Sequence, residues 1–131
     1  MKNRTTTKHF EIFKKEAELW IDKLSLNDWR VDFDHGPIVS EDPSLACCYS
    51  NIPGRCATLV LNTVWHNTKT TPRWIKKVAF HEVLELLLTR ISYLGGARYL
   101  QNEEIPEERH VIIRKLEKLF YGNASPKQKK V

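Results

Sequence analysis

The sequence predicts an α+β domain, a small antiparallel or mixed three-stranded sheet packed against three helices. An apolar stripe at helical spacing opens the chain, alternating and β-branched stretches fill its middle, and two long periodic stretches close it. His9 to Leu24 carries Phe10, Phe13, Ala17, Trp20, Ile21 and Leu24 at spacings of three and four, the mark of an amphipathic helix. Trp29, Val31 and Phe33 then alternate with Arg30, Asp32 and Asp34, which predicts a strand with one wet face, stopped by Gly36-Pro37. Leu45 to Asn62 reads as two strands around Asn51-Ile52-Pro53-Gly54, where Pro before Gly favours a type II turn. Thr71 is a suitable N-cap and Pro72 a suitable first residue for a helix running to about Leu94, before Gly95-Gly96. The last helix starts between Glu103 and Pro106, runs to Tyr121, and has Ile112, Leu116, Leu119 and Phe120 as its core stripe.

The 131 residues are enough for one hydrophobic core. We expect a flexible basic N-terminus over 1–7, a single domain over 8–121 and a disordered basic tail over 122–131. No apolar run is long enough to cross a membrane, and the first residues have no signal-peptide core. The three cysteines, Cys47, Cys48 and Cys56, are an odd number without an export signal, so reduced thiols and a cytoplasmic location are expected. Cys47 and Cys48 are adjacent on a strand and face opposite sides, which suits small buried hydrophobes better than a chelate. The net charge of +5 is compatible with a nucleic-acid partner through basic patches but does not require one.

The stretch Val78 to Arg90, VAFHEVLELLLTR, carries the chemistry. It is apolar nearly all round, so the helix is expected in the interior, yet it bears His81, Glu82 and Glu85. His81 and Glu85 are one turn apart, and Glu82 lies within about 100° of each. A buried carboxylate needs a partner or a metal. A divalent cation such as Zn2+ would offset the burial, because zinc takes imidazole nitrogen and carboxylate oxygen. In that arrangement His81 and Glu85 are ligands and Glu82 is the general base that takes a proton from water. An ion pair at this spacing is the competing explanation. The third ligand is expected at His110, with Glu107 and Glu108 as alternatives; those two acids also suit a helix's first turn.

The segment CCYSNIPGRCATLVLNTVW, a loop, then IKKVAFHEVLELLL resembles the minimal zincin metallopeptidases of the SprT-like type. In those proteins a strand ending in Leu-Asn, here Leu61-Asn62, precedes a loop and a helix bearing His-Glu, here His81-Glu82. The pairing of AFHEVLELLL with EERHVIIRKLEKLF also looks like small uncharacterised phage proteins. The resemblance implies a zincin-like fold, a bound zinc, His81 and position 85 as ligands, Glu82 as base, a further ligand downstream, and a protein or peptide substrate. This chain departs from it at Glu85, where those peptidases have histidine. The strand Cys56 to Asn62, taken as a sheet edge, is expected to pair with the substrate backbone. The alternative is a non-catalytic protein of the same fold that binds a host protein or nucleic acid.

Overall fold

The computed structural model describes residues 2–39, 44–97 and 103–122. The predicted α+β class is observed, with elements in the order β1 Lys2–Arg4, α1 Thr7–Lys23, β2 Arg30–Gly36, β3 Ala46–Asn51, β4 Cys56–Asn62, β5 Val64–His66, α2 Pro72–Gly96 and α3 Glu104–Tyr121. The three-stranded sheet is mixed and ordered β2-β4-β3; β4 lies parallel to β2 and antiparallel to β3. A separate antiparallel ribbon joins β1 to β5.

Local chemistry sets the helix starts. Thr6 and His9 form a reciprocal cap on α1: the His9 N–H donates to Thr6 Oγ1 at 3.2 Å and the Thr6 N–H to His9 Nδ1 at 3.0 Å. On α2 the Trp74 N–H donates to Thr71 Oγ1 at 3.3 Å, with Pro72 opening the first turn. Helices α1 and α2 pack on one face of the sheet. Phe13, Ala17 and Ile21 of α1 and Ile75, Ala79, Val83 and Leu86 of α2 meet Ala57, Leu59 and Leu61 of the central strand. Burial of this apolar surface is the main term holding the fold, at about 25 cal/mol per Å2. Trp65 is fully buried, and its indole N–H donates to the Leu45 carbonyl at 3.0 Å.

Asn62 joins the segments around the end of β4. Its Oδ1 accepts from the Ile38 and Val64 N–H groups at 3.3 and 3.2 Å, and its Nδ2 donates to the Ser44 carbonyl at 2.7 Å. Asn62 is 5 % exposed, and its three bonds are partly shielded from water.

Several expectations are corrected. Residues 2–4 are not a loose terminus. They form β1, because Asn3 lies opposite Trp65 and donates to the Thr68 carbonyl at 2.8 Å, while Thr5 Oγ1 donates to the Asn62 carbonyl at 2.8 Å. The Asn51–Gly54 turn is not type II. Gly54 does not take a positive φ; Arg55 does, at 52°, after its N–H bonds the Ile52 carbonyl at 3.1 Å. Phe120 is not in the core stripe of α3 and is 74 % exposed, whereas Ile112, Leu116 and Leu119 do pack inward. The tail over 123–131 lies outside the described residues.

Candidate functional site

Helix α2 is not buried all round. Ile75, Val78, Ala79, Glu82, Val83, Leu86 and Leu87 form its inner stripe, at spacings of three and four. Trp74, His81, Glu85 and Leu88 lie on the exposed side, with Trp74 at 41 % and Leu88 at 45 % exposure. The helix is therefore two-faced despite its apolar composition. Leucine occupies both faces, and this hid the polarity from the sequence pattern.

The polar trio divides between those faces. His81 and Glu85 point the same way, as their spacing predicts, with Nε2 and Oε1 3.4 Å apart, and both side chains are more than half exposed. Glu82 is 6 % exposed. Burial pushes its carboxyl up to about 7; the nearby His81 opposes that rise and the Glu85 charge adds to it. No hydrogen bond or ion pair from a described residue offsets the burial, so the neutral acid is favoured until near neutral pH.

Two cavities flank His81. One, of about 320 Å3, is lined by Leu45 and Ala46 before and within β3 and by Trp74, Lys77, His81 and Glu82 of α2. The other, of about 540 Å3, is lined by Cys48 and Ser50 of β3 and by His81, Glu85, Leu88 and Ser92 of α2. They form the two ends of one groove between β3 and α2. Its strand wall is made by every second residue of β3, Ala46, Cys48 and Ser50, all of them small, which leaves space between strand and helix. That alternation was the available sequence signal for the groove.

The sheet edge beside the groove is β3. The strand predicted for that place, Cys56–Asn62, is the central one, paired on both sides by β2 and β3. It is apolar because both of its faces are largely covered, as expected for an interior strand. On β3, only the side toward β4 is paired among the described residues.

The structure does not bring His110 to the His81–Glu85 pair. His110 is exposed on α3, its Nδ1 lies 2.9 Å from the Pro106 carbonyl, and it lines a separate surface hollow with Glu107 and Arg114. Of the alternatives, Glu107 belongs to that same hollow, and Glu108 accepts from Arg90 Nε at 3.1 Å. Among the described residues no group of three His, Cys, Asp or Glu side chains is placed to hold a metal ion. Cys47, Cys48 and Cys56 are free thiols. Cys48 enters the groove, but burial first, then the Glu82 and Glu85 charges, push its thiol up to about 12. It is a poor nucleophile at neutral pH.

His35 is not part of this site. It stacks on Phe10 with ring centroids 5.3 Å apart, and its Nε2 lies 2.7 Å from Thr5 Oγ1. Among the described residues no helix is long and apolar enough to cross a membrane. Comparison with protein-family models, with curated proteins and with solved structures finds no match for this chain.

Proposed function

We propose that this chain is a zinc-dependent peptidase that takes an extended peptide into the groove between β3 and α2. One observation carries the reading. Within a single turn of α2, a solvent-facing His81–Glu85 pair adjoins a buried carboxyl at Glu82, and all three line the same groove. A carboxyl with its pKa near neutrality in a cleft suits a general base better than a structural acid.

The donor set meets a zinc ion in part. Two ligand atoms about 2.0–2.1 Å from a tetrahedral ion lie about 3.4 Å apart, which is the His81–Glu85 spacing of 3.4 Å. Imidazole and carboxylate are the right donor types. A catalytic zinc takes three protein ligands, and the described residues bring two together. When bound, the ion would polarise the scissile carbonyl and acidify a water. The chain's own residues act around that chemistry. The edge of β3, unpaired among the described residues, offers main-chain N–H and C=O groups to an extended backbone. Glu82 accepts a proton from the attacking water and returns it to the leaving amine.

The absence of a third donor among the described residues favours a second reading, a non-catalytic protein that uses the same groove to bind a partner chain. Elemental analysis and a casein-cleavage assay on wild type, His81→Ala and Glu82→Gln separate the two. The peptidase reading expects stoichiometric zinc in wild type, its loss in His81→Ala, and a Glu82→Gln protein that keeps zinc but does not cleave. Peptide binding without zinc or cleavage in wild type would establish the second reading.

A further inference from the structure

The groove between β3 and α2 has opposite electrical ends. The sequence contains no Asp or Glu between Asp42 and Glu82, a span that includes all of β3 and the first turns of α2. That span carries Lys69, Arg73, Lys76 and Lys77 at and before the α2 N-terminus. None of these four has an ion-pair partner among the described residues, and all are exposed or half-exposed. Lys77 enters the first cavity, with its Nζ 4.5 Å from the exposed Trp74 ring. The other end of the groove is lined by Ser50, Leu84, Glu85, Leu88, Thr89 and Ser92, with a carboxylate and no lysine or arginine.

We infer that the groove selects an extended peptide with acidic residues at the end lying against Trp74 and Lys77. This rests on the peptide-groove reading above and specifies its ligand. The lengths agree. Trp74 to Leu88 spans about 21 Å at about 1.5 Å per residue of helix, and the six residues of β3 span about 20 Å at about 3.3 Å per residue. Both correspond to roughly six residues of an added strand. Helix and strand run the same way, since Ala46 meets the Lys77 end and Ser50 meets the Ser92 end. The basic end therefore stays beside one terminus of the bound segment. A peptide is favoured over a nucleic acid because Lys77 enters a groove beside a strand edge that is unpaired among the described residues, whose hydrogen-bonding groups match a peptide backbone.

The test is fluorescence anisotropy on the full chain carrying Glu82→Gln, so that cleavage does not consume the probe. The probes are fluorescein-labelled octapeptides with three acidic residues at either the N- or the C-terminal end and leucine and valine at the other. Analogues carry Gln or Lys in place of the acids. One acidic frame is expected to bind at least about tenfold tighter than its Gln analogue, with the Lys analogue weaker still. Lys77→Glu should abolish that preference and Lys77→Gln should reduce it, while Lys118→Glu on α3 should leave it unchanged. Equal binding of acidic and neutral octapeptides would overturn the charge inference and leave the groove standing. If no octapeptide binds, both readings fall. Tighter binding of a fluorescein-labelled oligothymidine than of any acidic octapeptide, lost in Lys77→Glu, would overturn the inference in favour of nucleic acid.

Discussion

Glu82→Gln should stabilise the metal-free protein at alkaline pH. The Glu82 carboxyl titrates near 4.5 in an unfolded chain and at about 7 in the fold, chiefly because it is buried. Between those values the folded protein keeps a proton that the unfolded chain has lost. Stability is therefore full below about pH 4.5, falls as pH rises through that window, and levels off above about pH 7. At about 1.4 kcal/mol for each factor of ten, the cost reaches at most about 3 kcal/mol. Contact of the carboxyl with the cavity reduces it.

Glutamine keeps the shape and removes the titration. In urea unfolding with EDTA present, Glu82→Gln is expected to match wild type near pH 4.5 and to exceed it by about 1–3 kcal/mol near pH 8. The subtraction also removes the contribution of His35, whose pKa burial lowers in both proteins. A Glu82→Gln protein less stable than wild type near pH 8 would refute the reasoning, because it would mean that a partner in the fold holds the carboxylate in its charged form. Zinc supplies a second arm. If Glu82 adjoins the ion, its carboxylate is stabilised by the zinc charge, so saturating zinc near pH 8 should raise the stability of wild type more than that of Glu82→Gln.

Three further outcomes follow from the packing. Asn62→Ala breaks three partly buried hydrogen bonds that join the segments at Ile38, Ser44 and Val64, and should cost about 2–4 kcal/mol in urea unfolding. Trp65→Ala empties a fully buried site and should cost about 3–5 kcal/mol by the same measurement. Cys48, its thiol pushed up to about 12, should be alkylated by iodoacetamide at least about tenfold more slowly than a cysteine in an unstructured peptide, as read by mass spectrometry at neutral pH.

The periodic elements were legible because local chemistry decides them. The alternation from Arg30 to Asp34 became β2, and Thr71-Pro72 opened α2. The ribbon was not legible. Three-residue strands such as Lys2–Arg4 and Val64–His66 have too little pattern to read, and they pair across the whole domain through Asn3 and Trp65. The edge of the sheet was misplaced for a related reason. Hydrophobicity shows that Cys56–Asn62 is a strand, but only tertiary pairing shows which strand has a free side. In the candidate site, the helical spacing of His81 and Glu85 was readable and the burial of Glu82 alone was not. Leucines at Leu84 and Leu88 made the open face look like core.

Helical geometry explains that division. Successive residues on a helix are about 100° apart, so a His-Glu dipeptide on a half-buried helix places one group in solvent and the other against the core. Had His81 been the inner residue, its imidazole would be shielded from any ligand entering the groove. Had Glu82 been the outer one, water would solvate its carboxylate and leave it an ordinary, weak base. In the observed phase the exposed histidine lies beside Glu85, and the largely buried carboxyl has its pKa raised by desolvation. The phase is set by the apolar residues on either side, Val78, Ala79, Val83 and Leu86, which fix the rotation of α2 against β4. A polar residue at Val83 would therefore change the burial of Glu82 by turning the helix, without touching either group. The same rotation places Lys77 and Trp74 in the wall of the first cavity, so the core packing of α2 determines both the burial of Glu82 and the residues that line the groove.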